Sequence, residues 1–171
     1  MVKIRKIEIS NFRSIEELVW QPAPGMNCLI GPGDSGKSTI LDAIDWCLGA
    51  RRNLPITDAD FYAMNVDDDI DIRITLGDLS DGLKSFDVYG PFLLGMDDDG
   101  DIEDEPGEDL ESVLTLQLKI SDDLEPNWQL LSARAEAQGL TRSLSWADRR
   151  NIAPNRIGTY ARVLSAEPDL R

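Results

Sequence analysis

At 171 residues, with 42% hydrophobic content and a formal net charge of −15, the chain is sized for one domain, or one domain with an insertion, around a real core. No stretch approaches the roughly 20 apolar residues of a membrane span, and MVKIRKIEIS intersperses charges where a signal peptide would be apolar, so no membrane association and a cytoplasmic location are expected. There is no histidine, and the two cysteines, Cys28 and Cys47, have no paired spacing, which excludes His-dependent chemistry and Cys/His zinc sites.

The charge is uneven. The first 20 residues hold four basic and three acidic residues, whereas Asp97 to Glu111 holds ten acidic residues and no basic one. A surface this acidic repels nucleic-acid phosphates unless basic residues cluster locally, so any nucleic-acid face on this chain is expected to be small.

In chain order, Lys3 to Ser10 alternates cleanly from Lys6 onward, with Ile7 and Ile9 on one face, and predicts a strand. Asn11-Phe12-Arg13-Ser14 reads as a turn, and Ile15 to Trp20 as a second strand antiparallel to the first. Pro22, Pro24 and Gly25 break the chain before a short, mostly apolar strand, Met26 to Ile30. From Lys37 to Leu48 the period is helical: Ile40, Leu41, Ala43, Ile44, Cys47 and Leu48 make a broad apolar face against a narrow stripe of Ser38, Asp42 and Asp45. Such a helix belongs between a sheet and another layer, with Gly49 as its C-cap. Both cysteines lie in apolar runs, NCLIG and DWCLG, and are expected in the core.

Thr57 or Asp58 suits the cap of a short helix holding Phe61 and Tyr62. Asp69 to Leu76 (DIDIRITL) predicts a strand, Ser85 to Val88 a weaker one, and Leu114 to Ile120 with Trp128 to Ala135 a strand pair joined near Pro126-Asn127. The acidic stretch at about 95–110 is expected to be an exposed or disordered loop. Asp97, Asp99 and Gly100 fit the third, fifth and sixth places of a calcium-binding EF-hand loop, but its first and twelfth places would be Gly95 and Pro106, which donate no carboxylate. Gly139 to Arg171 has weak periodicity, and there is no internal repeat.

Between the Met26–Ile30 run and the helix lies Gly31-Pro32-Gly33-Asp34-Ser35-Gly36-Lys37-Ser38, followed by Thr39, a full match to G-x-x-x-x-G-K-[ST]. Gly31, Gly33 and Gly36 permit backbone angles closed to other residues, so that successive N–H groups turn inward as an anion nest. Lys37 brings a mobile positive charge to the β- and γ-phosphates, Ser38 a hydroxyl for magnesium, and the helix its N-terminal dipole. An apolar run before the loop and an amphipathic helix after it are the context this chemistry requires. ATP with Mg2+ is the expected ligand, held by Gly31, Gly33, Asp34, Ser35, Gly36, Lys37, Ser38 and Thr39.

KIEISNFRSIEE followed by CLIGPGDSGKSTILDAIDWCLG resembles the N-terminal nucleotide-binding segment of ABC-type ATPases of the SMC and RecF kind. The match looks nearest to ATP-dependent endonucleases of the OLD family, in which such an ATPase domain precedes a Toprim nuclease domain, and Arg51 to Tyr62, ending ITDADFY, favours that choice. The resemblance covers about the first 60 residues. It implies an α/β P-loop NTPase fold: part of an ABC-type ATPase head spanning 1–171, its mixed sheet carrying an antiparallel portion and its P-loop helix packed under that sheet. It implies that Arg13, in NFRS, falls where relatives contact the nucleotide. It also implies that Arg51 and Arg52 fall where SMC-like proteins place an arginine loop, although cations are favoured near a helix C-terminus in any case.

Relatives usually carry asparagine where Gly33 stands; glycine makes the same turn without the side-chain hydrogen bond. No apolar run ends in Asp-Glu as a Walker B strand does, and Leu164-Ser165-Ala166-Glu167 begins like a signature motif but lacks its glycine pair. The Toprim part is absent. The expected function is therefore the ATP-binding head of an OLD-like DNA endonuclease, hydrolysing ATP only in the complete protein, where two heads sandwich ATP and act on DNA. The alternatives are the head of an SMC- or RecF-like DNA-repair ATPase, and a non-catalytic nucleotide-binding remnant.

Overall fold

The computed structural model describes residues 1–157. Its centre is a seven-stranded sheet: β1 (Lys3–Phe12), β2 (Ile15–Trp20), β3 (Ile70–Gly77), β4 (Leu94–Met96), β5 (Ile102–Glu103), β6 (Glu111–Ile120) and β7 (Pro126–Leu131). The order is β2-β1-β3-β6-β4-β5, with β7 alongside β6, and every described ladder is antiparallel. Helix α1 (Lys37–Leu48) packs on this sheet as expected, through Ala43, Trp46, Cys47 and Leu48, but Leu41 of the predicted apolar face is exposed and Asp45 of the polar stripe is buried.

Register explains the packing. Ile9, Ile72, Leu118 and Trp128 form one cross-strand row and Ile7, Ile74, Leu116 and Leu130 the next. The sulfur of Cys47 in α1 sits 3.8 Å from the Ile72 carbonyl and 3.9 Å from that of Leu116, so these rows meet the helix. Each such aliphatic side chain contributes about 1.5–3 kcal/mol when fully buried. The alternate row, Glu8-Arg73-Gln117-Gln129, is polar, and Asp71 beside it accepts from Gln117 at 2.8 Å and from Arg73 at 2.7 Å. A one-residue slip would bury that network and expose the isoleucines, so the register is strongly fixed.

Four readings of the sequence need correction. Met26 to Ile30 pairs with no described strand, and Met26, Cys28 and Ile30 are exposed, the last at 92%. Apolar character points to a strand there, but a strand also needs a neighbour's hydrogen-bonding edge. Cys28 is thus not a core residue, whereas Cys47 is fully buried. Ser85 to Val88 is not a strand: Phe86–Tyr89 is a helical turn, α2, which buries Tyr89 and aims its hydroxyl at Asp148, 2.6 Å away. The final strand stops at Leu131, because Ser132 accepts from the Ala135 N–H and starts helix α3 (Ala133–Ala137).

Within the acidic stretch, β4 and β5 form a small hairpin, Gly95 opposite Glu103 and Met96 opposite Ile102. The Asp97 carboxylate accepts from the Asp101 N–H at 2.8 Å and closes its turn. Helix α4 (Trp146–Ile152), capped by Ser145, lies in the region of weak periodicity. Leu164 to Glu167 falls outside the described residues.

Candidate nucleotide site

The loop at 31–36 leads directly into α1. Gly36 is the N-cap, with φ +82°, and a β-carbon there would also press on the Ile15 side chain at 3.4 Å. Gly31 is needed for room: a β-carbon would come within 2.7 Å of the Ser35 hydroxyl. Gly33 does neither, since its φ is not positive and nothing lies within 4 Å of where its β-carbon would be. The left-handed residue in mid-loop is instead Asp34, at φ +58°. The expectation that all three glycines supply special angles therefore holds only for Gly36.

Lys37 is folded back over its own loop. Its ammonium donates to the Gly31 carbonyl and the Ser35 hydroxyl, each at 2.9 Å, and also to the Pro32 carbonyl. The first-turn N–H groups of α1 have no partner four residues back within the helix. Ser38 is exposed, and the Thr39 hydroxyl is buried against Ser14 at 2.9 Å. Ser14, Asp34, Ser35, Gly36, Lys37, Ser38 and Thr39 line a cavity of about 270 Å³. Ser14 was not foreseen as a lining residue; the signal was its place in the β1–β2 turn directly after Arg13.

These groups fit a magnesium-bound polyphosphate. The loop has the tight backbone that phosphates require, one ammonium already gathers three oxygens, and a hydroxyl stands at the first turn of a helix whose dipole favours anions. Among the described residues, no cluster of three or more carboxylates or cysteines forms a separate metal site.

The arginines are placed differently. Arg13 has φ +50°, donates to Asp60 at 2.7 Å and to Asp42, and sits 5.0 Å from the ring centres of both Phe12 and Trp46. It ties the β1–β2 turn to α1 and to the 3-10 turn Asp58–Asp60, which Thr57 caps as expected, although Phe61 and Tyr62, expected inside that helix, follow it. Arg51 pairs with Asp45 at 2.6 Å, and Arg52 lies 5.2 Å from the Trp146 ring. Both stand beyond the far end of α1, about 18 Å of helix from the loop at 1.5 Å per residue. The fold does not bring Arg51 or Arg52 to the phosphate cavity.

Residues 6–134 match the family described as AAA domain. The chain belongs to that family. The AAA domain match runs from within β1 to the start of α3, taking in the whole glycine loop, α1 and β2 to β7. Among curated proteins, the replication and repair protein RecF of Prosthecochloris aestuarii is 44% identical over 46 residues, which is 27% of this chain and 12% of that protein. The chromosome partition protein Smc of Methanocaldococcus jannaschii is 45% identical over 49 residues, 29% of this chain and 4% of that protein. The chain thus spans a small part of the relatives' length.

Among solved structures, the Smc head domain from Pyrococcus furiosus, bound to the C-terminal domain of ScpA, superimposes with a TM-score of 0.55 at 17% identity, covering 89% of this chain and 32% of that one. A second, from a study of ATP-driven dimerisation and DNA-stimulated activation of SMC ATPases, gives 0.53 at 17% identity, covering 87% and 76%. This AAA domain has the P-loop, ABC-type head fold. Its relatives are of the RecF and Smc kind, which favours the SMC/RecF-like alternative over the OLD-like reading.

Proposed function

We propose that the chain is the nucleotide-binding part of an SMC/RecF-like ATPase head, binding ATP with Mg2+ at residues 31–39. The observation that carries this is the joint of loop and helix: Gly36 in a left-handed turn, Lys37 already clasping loop oxygens, and the start of α1 opening on the same cavity. On binding, Lys37 exchanges the carbonyls of Gly31 and Pro32 for phosphate oxygens, which are stronger partners for an ammonium. The loop and first-turn amides would hold the phosphates, and Ser38 would offer its hydroxyl to magnesium, whose charge would offset that of the polyphosphate.

Hydrolysis needs a group that orients the attacking water, and none is identified in this sequence. Binding with slow or no turnover is therefore the activity proposed for the chain itself. In the complete protein we propose paired heads that close on ATP and act on DNA. No helix among the described residues is long and apolar enough to cross a membrane. Titration calorimetry with MgATP tests the binding claim: the native chain binds and Lys37→Ala loses at least tenfold in affinity, on the scale of one charge-assisted contact. Equal affinity of the two proteins would remove the assignment.

A further inference from the structure

We propose that Arg156 is a further phosphate-binding residue of this site, held in reserve on Asp42; the proposal rests on the nucleotide reading of residues 31–39. Asp42 lies on α1 three residues after Thr39, so the two share a helix face about 4.5 Å apart along the axis. Its side chain leans back toward the helix N-terminus, as helical side chains do, and hence toward the phosphate loop. Two guanidiniums converge on it, Arg13 on one carboxylate oxygen and Arg156 on the other. Arg13 has a second carboxylate, Asp60, at 2.7 Å. For Arg156, Asp42 is the sole carboxylate partner among the described residues.

The wall of the cavity reaches this cluster in two steps. Ser14 and Thr39 line the cavity and bond each other, and Ser14 is the chain neighbour of Arg13, which holds Asp42. One carboxylate shared by two guanidiniums leaves Arg156 under-neutralised, within roughly one helical turn of a site built for several negative charges. A polyphosphate offers it more charge and more acceptor oxygens than half of Asp42. The Arg156 side chain is about one-quarter exposed, so it exchanges partners without opening the core. Arg156 lies beyond the matched residues 6–134, in a stretch whose weak periodicity gave no hint of a site.

A double-mutant cycle read by MgATP titration tests this. Arg156→Gln weakens MgATP about tenfold, the scale of one charge-assisted hydrogen bond, and Arg156→Lys, which keeps the charge, recovers part of that loss. Asp42→Asn, which releases the guanidinium, tightens MgATP in the native background and gives no gain in the Arg156→Gln background. The proposal is overturned if Arg156→Gln binds like the native chain, or if the Asp42→Asn gain persists without Arg156, which would assign it to Arg13. If the native chain binds and Lys37→Ala does not, an unaffected Arg156→Gln removes this proposal alone. If the native chain does not bind MgATP, both readings fall.

Discussion

The Arg149 guanidinium donates to the carbonyl of Cys47 at 2.9 Å, and at the same distance to that of Gly49, closing the C-terminus of the helix whose other end carries the phosphate loop. Arg149 is only 6% exposed, sits 4.4 Å from the Trp128 ring centre, and has no carboxylate partner among the described residues. Burial pushes its pKa down, so the helix's negative end and the indole face are what keep this cation inside. Trp128 itself donates from its indole nitrogen to the Trp46 carbonyl at 3.1 Å. The carbonyls of Trp46 and Cys47 in α1, and that of its C-cap Gly49, are therefore met from β7 and α4.

Replacing Arg149 with methionine strands the buried Cys47 carbonyl and takes one of two partners from that of Gly49, which keeps the Arg51 N–H at 2.9 Å. A loss of about 2–4 kcal/mol is expected in urea unfolding, with lysine in its place intermediate. A change within 0.5 kcal/mol would show that α4 does not anchor α1 (roughly the scatter of ordinary surface substitutions).

The glycine loop yields a paired test. Gly36→Ala forces a β-carbon into a left-handed position against Ile15, so a loss of about 1–2 kcal/mol and weaker MgATP binding are expected. Gly33→Ala meets no atom and needs no special angle, so it is neutral or stabilising by up to about 1 kcal/mol. Urea midpoints of the two variants check this, and equal losses would mean that the loop adopts another backbone.

The thiols should separate cleanly. Cys47 is fully buried and burial pushes its pKa up to about 12, while Cys28 is exposed. A disulfide-exchange reagent at pH 8 is expected to titrate one thiol in the native chain and two in denaturant. Two fast-reacting thiols in the native state would contradict the placement of α1 on the sheet.

On the acid side, Arg5 grips Glu111 through two hydrogen bonds of 2.8 Å and holds its carboxyl below the usual range, and Glu111 also accepts from the Asp78 N–H at 2.7 Å. A depressed folded-state pKa gives stability that is present above the unfolded value and is lost as pH falls through the folded one. Asp69 beside Lys119 and Asp78 beside Lys3 act in the same direction. Stability should therefore decline as pH falls below about 4.5, and Glu111→Gln should flatten that decline; an unchanged pH profile would show that the pair is already screened in solution.

Much of this was legible in the residues. Alternation placed β1 and β3, the runs at Ile15–Trp20 and Leu114–Ile120 placed β2 and β6, and helical period together with the glycine pattern fixed α1 and the loop, because these signals are local. What failed was non-local. Met26 to Ile30 has the composition of a strand but no neighbour, Ser85 to Val88 turned helical to bury Tyr89 against Asp148, and Arg51 and Arg52 were separated from the loop by the length of the helix between them. Ser14, Arg149 and Arg156 carry no local pattern, and only the fold brings them to the two ends of α1.

The most direct test is an amide map of residues 31–40. In two-dimensional NMR of the native chain, MgATP is predicted to shift the amides of Gly33 to Thr39 and to leave those of β6 and β7 in place. If those loop amides stay fixed at saturating MgATP, or if the shifts appear only elsewhere, residues 31–39 do not hold the phosphates.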